Sequence, residues 1–193
     1  MTDIITKTYT SPEFSLRTAL RYAGCREAYE FDEIVHVLHS ESEKVLRYAV
    51  CYTELPIAVD GIAVSFGSFS CKSKALAKNL EGCTKAVVFA ATIGLQFDRL
   101  VMAYSRTSPS KAVLLQGIGA ERIEALCDIF NREISETHIT HPRFSPGYGD
   151  LPLSVQRDIF TILNPERHIG LTLTDSLMMS PTKSVSAIIG IEE

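Results

Sequence analysis

The sequence predicts an α+β fold, a largely antiparallel, twisted sheet packed with helices. Strand-like apolar runs stand in the middle and at the end of the chain, and helical periods separate them irregularly rather than in the strict alternation of a parallel sheet. The last two strand-like runs are joined by too few residues for a helical crossover, which makes them antiparallel. A length of 193 residues suits one folded unit, 1–193, with an N-terminal helical part over 1–45 and a sheet-and-helix body over 46–193.

Residues 15–23 carry Leu and Arg at helical spacing and stop at Gly24, the pattern of a short helix with a glycine exit. Over 31–45, Phe31, Ile34, Val35, Leu38 and Val45 recur at helical intervals among Glu and His, marking an amphipathic helix. Leu46, Tyr48, Val50 and Tyr52 then alternate as on a strand, and 57–66 is apolar on both sides of Asp60-Gly61, a hairpin turn signal. Residues 71–80 have the composition of a Lys-rich helix ended by Gly82, and 86–91, apolar at every position, is a central strand. After Gly94 come a helix at 95–104, a Ser/Thr/Pro loop at 105–110 and the longest helix at 111–134. On that helix Leu115, Gly119, Ile123, Leu126, Cys127, Phe130 and Ile134 form one stripe, with Glu121, Glu124 and Asp128 on its polar flank. Three prolines and two glycines make 138–152 a loop. Val155, Ile159, Ile162 and Leu163 give the apolar face of a helix that Asn164-Pro165 ends. Two strands close the chain, one alternating through Ile169, Leu171 and Leu173 and the other through Val185, Ala187, Ile189 and Ile191.

With 46% hydrophobic and 22% charged residues, the chain lies well inside globular usage and outside the regime of disorder. A net charge of −4 gives no electrostatic footprint for nucleic acid or for an anionic membrane surface. Residues 1–14 lack the basic start and apolar core of a signal peptide, and no stretch reaches the roughly 18 apolar residues of a membrane span, so the expected location is cytoplasmic. The five cysteines, Cys25, Cys51, Cys71, Cys83 and Cys127, are odd in number and widely spaced, as reduced thiols rather than a disulfide framework.

The most informative stretch is the loop at 142–150, Pro142-Arg143-Phe144-Ser145-Pro146-Gly147-Tyr148-Gly149-Asp150. Arginine offers a planar fork for a carboxylate, glycine lets the main chain approach a flat group, and tyrosine brings a ring face and a hydroxyl. These properties suit an amino-acid-bearing nucleotide. On residue types alone, a surface turn with a structural ion pair is the more economical account, and Glu124 is then a solvated carboxylate beside Glu121 and Asp128.

Arg143-Phe144-Ser145-Pro146-Gly147-Tyr148 resembles the Arg-x-x-x-Gly-Tyr motif of the activation domain of cobalamin-dependent methionine synthase. Ile169-Gly170-Leu171-Thr172-Leu173-Thr174-Asp175-Ser176 resembles that family's Thr-(Glu/Asp)-Ser strand end, and Pro181-Thr182-Lys183-Ser184-Val185-Ser186 its Pro-x-x-Ser-Val-Ser strand start. The three stand in the family's order, and the opening helices and residues 85–94 resemble the stand-alone bacterial form of the domain. The resemblance implies a loop that binds S-adenosylmethionine, with Arg143 on the ligand's carboxylate and main-chain groups of Ser145, Gly147 and Tyr148 on the adenine. Tyr148 would also face the corrin during the reaction, and Glu124, in the match Glu124-Ala125-Leu126, would meet the ligand's ammonium. It further implies an accessory component rather than a complete enzyme. Its partner would be a cobalamin-dependent methionine synthase lacking its own activation domain, which carries the cobalamin, and the electron source a flavodoxin-type reductant.

Departures from the family pattern are visible. Gly149-Asp150-Leu151-Pro152-Leu153 stands where the fused enzymes have a Pro- and Cys-containing turn, and Ser180 replaces their tryptophan. The chain stops at Glu193, short of their C-terminal extension, so a weaker or partner-completed ligand site is expected. Two other functions remain open at this point: a module that senses S-adenosylmethionine and regulates a partner, and an unrelated small-molecule enzyme on the same fold. Neither His36 with His39 nor His138 with His141 completes a zinc signature, and these are read as polar surface histidines with no metal. Gly117-Ile118-Gly119 lacks the third glycine of a dinucleotide loop and is read as close helix packing. Ser184 and Ser186 are read as strand residues, and Met178-Met179 as core or docking contacts.

Overall fold

The computed structural model describes residues 3–25 and 29–192, and Glu193 lies outside the described residues. Five strands form the main sheet in the order β1-β2-β6-β10-β7, with β1 Ile5–Tyr9, β2 Tyr48–Pro56, β6 Lys85–Thr92, β10 Ser184–Glu192 and β7 Ile139–Thr140. Every neighbouring pair in it is antiparallel, as expected. The β1 strand carries no sequence signal strong enough to find it, being a short edge strand of which no residue is fully buried.

Both faces of this sheet are covered. On one lie α1 Leu16–Tyr22, α2 Asp32–Glu43, α4 Leu95–Thr107 and α5 Pro109–Ser135, packed around Tyr48, Val50, Tyr52, Val87, Phe89, Ala91, Ala187 and Ile189. On the other lie α3 Lys74–Asn79, α6 Val155–Leu163, α7 Pro165–Ile169 and a small sheet of β3 Ala58–Asp60, β4 Ala63–Ser65 and β5 Ser70–Lys72, around Ala49, Cys51, Ala86, Val88, Ala90 and Ile188. The alternation in β2 therefore divides side chains between two cores, not between core and water.

Four element boundaries need correction. The 105–110 loop shrinks to Ser108, because Ser105 and Thr107 bond back to the Val101 and Ala103 carbonyls and stay helical, while Pro109 opens α5 with its preset φ. Cys71 and Lys72 belong to β5, and Ser73 caps α3 by accepting from the Leu76 N–H at 3.0 Å. Residues 169–174 do not form one strand antiparallel to the last: Pro165 starts α7, which takes in Ile169, Gly170 ends it at φ 69°, and only β8 Thr172–Leu173 is extended, pairing with β9 Met179–Ser180 and not with β10. Finally, the loop 138–152 begins as an edge of the sheet, in β7 and in a bridge from Phe144 to Ile188.

The helix α5 is seated by its two glycines. A Cβ on Gly117 would lie 2.4 Å from the Ala19 carbonyl oxygen on α1, and one on Gly119 would lie 2.3 Å from the Phe97 ring on α4. Close helix packing is thus the role of this pair. At the same crossing Arg122, fully buried, donates to Glu121 and to the Pro12 and Glu13 carbonyls, and Glu121 also accepts from the Ser15 N–H. Glu121, expected on the polar flank, is only 3% exposed because α1 covers that side of α5.

The loop after β7 is pinned at both ends. At its start His141 bonds Glu192 at 2.6 Å and the Asn79 carbonyl; at its end Asp150 accepts from Ser73 Oγ (2.5 Å) and from the Lys74 and Ala75 N–H groups at the start of α3. The Ser73 hydrogen bond, with those two N–H groups, lowers the Asp150 pKa, whereas the Glu192 bond, helped by Asn79, raises that of His141. His39, also expected at the surface, is part-buried and stacked on Phe14 at 3.9 Å.

Gly117→Ala should destabilise the protein by about 1–3 kcal/mol despite alanine's better helix propensity, since the obstacle is backbone. Urea denaturation measures this, and an unchanged midpoint would mean that α1 and α5 are not in contact there. The loop anchors respond oppositely to pH. The lowered carboxyl of Asp150 contributes above the ordinary carboxylate range and fails as pH falls through its lowered value, while raised His141 contributes below about 6.5 and fails as pH rises through its raised value. Hydrogen-exchange protection of the 141–150 loop should therefore fall on both sides of a weakly acidic to neutral window. His141→Gln should abolish only the alkaline fall, and Asp150→Asn only the acidic one.

Candidate functional site

Where the loop leaves β10, a cleft of about 340 Å³ opens between the loop, α5, α6 and the first residues of β10. The departure has a local cause. Phe144 exchanges backbone hydrogen bonds with Ile188 at 2.8 and 2.9 Å, but Pro146 has no N–H with which to continue, and the chain turns with Gly147 at φ 91°. The Tyr148 N–H then bonds the Ser145 carbonyl and the Gly147 N–H the Leu151 carbonyl, closing a compact turn.

The structure brings Glu124, Arg143, Ser145 and Tyr148 to the wall of this one cleft, together with Phe144, Pro146, Gln156, Met179, Ser184, Val185 and Ser186. Gly147 stands outside the lining and shapes the turn. Because the N–H groups of Gly147 and Tyr148 are spent inside the loop, the main-chain groups it still offers include the Ser145 N–H and the Pro146 carbonyl, neither partnered among the described residues. Tyr148 is 68% exposed at the rim.

Arg143 donates to Glu124 at 2.5 Å and to Asp128 at 2.7 Å, two carboxylates one helical turn apart on α5. Burial works against the guanidinium's charge, but the Asp128 hydrogen bond and the neighbouring acidic groups outweigh it and hold Arg143 protonated. The side chains of Glu124 and Asp128 are 40% and 61% exposed, so these pairs are solvent-screened and cheap to exchange. A zwitterionic amino-acid group offers each member a replacement partner: a carboxylate for Arg143 and an ammonium for Glu124.

Several lining residues were not singled out by sequence as ligand groups, Gln156, Ser186 and Met179 among them. Gln156 follows the loop in the first turn of α6, and its Oε1 is buried with no hydrogen-bond partner among the described residues; Ser186 Oγ on β10 is in the same state. Met179 flanks them from β9. A glutamine in an amphipathic helix reads as solvated, and no local signal marks it otherwise. Cys127, under the Glu124 side of α5, is fully buried and its thiol is pushed up to about 12 by that burial, so it is packing rather than a nucleophile. All five cysteines are free. Among the described residues no cluster of three His, Cys, Asp or Glu is placed to hold a metal, and no helix is long and apolar enough to cross a membrane.

Comparison with known proteins bears on this geometry. No curated protein matches the chain. Among solved structures, one described as "Crystal Structure of the MetH Reactivation Domain bound to AdoHcy" superimposes with a TM-score of 0.71 over 98% of this chain and 78% of its own, at 16% identity. At that identity the likeness is one of fold. The family described as "Vitamin B12 dependent methionine synthase, activation domain" matches residues 68–193. That match takes in the whole loop, α5, α6 and the β10 wall, and on that ground this chain belongs to the activation-domain family of vitamin B12-dependent methionine synthase.

Proposed function

We propose that this protein binds S-adenosylmethionine in the cleft and acts as the reactivation component of a separate cobalamin-dependent methionine synthase. The observation that carries the reading is the pairing of Arg143 with Glu124 in the cleft wall, opposite charges matched to the two charges of an amino-acid end. A structural neighbour bound to AdoHcy, which shares that amino-acid end, supports it.

In this reading Arg143 takes the ligand's carboxylate and Glu124 its ammonium, each giving up the internal pair. The second carboxylate, Asp128, leaves this corner of the protein with an excess of negative charge, which favours a ligand whose sulfonium keeps it net positive. Ser145 and Pro146 offer main-chain groups to the adenine, with Gly147 and Tyr148 shaping the turn that holds them. The bound ligand would supply an activated methyl group to cobalamin carried by the partner, with a flavodoxin-type protein as electron source. This chain contributes orientation and proximity, and no residue of it need act as a nucleophile. Tyr148, exposed at the rim, would face an approaching corrin.

Titration calorimetry of S-adenosylmethionine and S-adenosylhomocysteine into the native protein and Arg143→Ala tests this. Saturable binding is expected, weakened in the variant by roughly 2–5 kcal/mol through loss of the carboxylate's partner. Affinity unchanged in Arg143→Ala would remove that residue from the site. Binding without reactivation of a methionine synthase that lacks its own activation domain would identify a sensing module instead.

A further inference from the structure

Two polar atoms in the cleft wall are left over by the binding mode just described. Gln156 is 5% exposed and Ser186 2% exposed, and neither Gln156 Oε1 nor Ser186 Oγ has a hydrogen-bond partner among the described residues. Both residues line the same cleft as Arg143 and Glu124. Their neighbour Ser184, two residues along the same face of β10, shows what satisfaction looks like here: its Oγ is bonded to Thr92 Oγ1 at 2.9 Å and to the Pro181 carbonyl at 2.8 Å. A buried amide oxygen or hydroxyl without a partner is costly, and a wall that keeps two of them is suited to a polar group from outside the chain.

The chemistry of the pair narrows that group. Both are neutral, so a full charge is better answered by Glu124 or Arg143. A primary amide presents an acceptor at one end and donors at the other, and a serine hydroxyl does both. A ligand hydroxyl, itself donor and acceptor, satisfies the amide whichever end faces it and satisfies Ser186 as well. Two adjacent hydroxyls satisfy both residues together. We propose that Gln156 and Ser186 seat the vicinal ribose hydroxyls of an adenosyl ligand and make the cleft selective for a ribose over a deoxyribose. This rests on the reading that the cleft binds S-adenosylmethionine.

The test compares S-adenosylhomocysteine with its 2′-deoxy and 3′-deoxy analogues by calorimetry on the native protein, Ser186→Ala, Gln156→Met and Arg143→Ala. The native protein should bind the ribose form about three- to tenfold more tightly than at least one deoxy analogue, the worth of an ordinary hydrogen bond. Ser186→Ala and Gln156→Met should each lose about that factor for the ribose form while binding the matching deoxy analogue as the native protein does. Thermal melting of the ligand-free variants should not fall, since neither substitution removes a bond within the protein. Equal losses on ribose and deoxyribose forms, a native protein indifferent to the missing hydroxyl, or a lowered melting temperature in ligand-free Ser186→Ala would each overturn the assignment. If Arg143→Ala abolishes binding while the sugar makes no difference, the cleft reading stands and this inference alone falls. Absence of native binding to any of the three compounds overturns both.

Discussion

The site depends on where the outer edge of β10 stops being paired. From Glu192 back to Ile188 the edge is closed by β7, by His141 and by Phe144; beyond Ile188 the loop turns away at Pro146. A strand edge needs partners for its polar groups, and a loop that continued alongside β10 would have closed it entirely. Because it peels off, the start of β10 becomes one wall of a cleft, α6 a second, and α5 with Glu124 a third. Arg143 sits one residue before the last paired position, so its backbone is held by the sheet while its side chain reaches α5.

The charged corner is already paired within the chain. Arg143 is already bonded to two carboxylates, both substantially exposed, and the free energy of any ligand contact there is the difference between two sets of partners. In the proposed binding mode a carboxylate alone would draw Arg143 from Glu124 and leave that carboxylate without a cation, whereas a zwitterionic end answers both charges at once.

The central strand β6 was legible because burial on both faces demands apolar residues at every position, and the long stripe of α5 because a helix on a sheet buries one face over its whole length. Errors fell where local chemistry competes with composition. Ser105 and Thr107 look like loop residues but bond back to carbonyls one turn earlier, and Asn164-Pro165 joins two helices as well as ending one. Glu124 and Arg143 were legible as a pair only through a motif, since a surface ion pair has the same residues. Gln156 and Ser186 were not legible as ligand groups: what distinguishes them is the lack of a hydrogen-bond partner among the described residues in three dimensions, and nothing in a sequence encodes a missing neighbour.

The seat of Gly117 against the Ala19 carbonyl works as the zero mark of a ruler. Backbone meets backbone there, so α5 can neither slide nor roll without first separating from α1. Glu124 lies seven residues further on, about 10 Å along the axis and close to two full turns. Its carboxylate is therefore placed along α5 by a steric stop outside the cleft, and the spacing from Glu124 to Arg143 is set partly by that stop. Drift in the α1–α5 crossing would be reported at the cleft as a mismatch of charge spacing rather than as a change of shape.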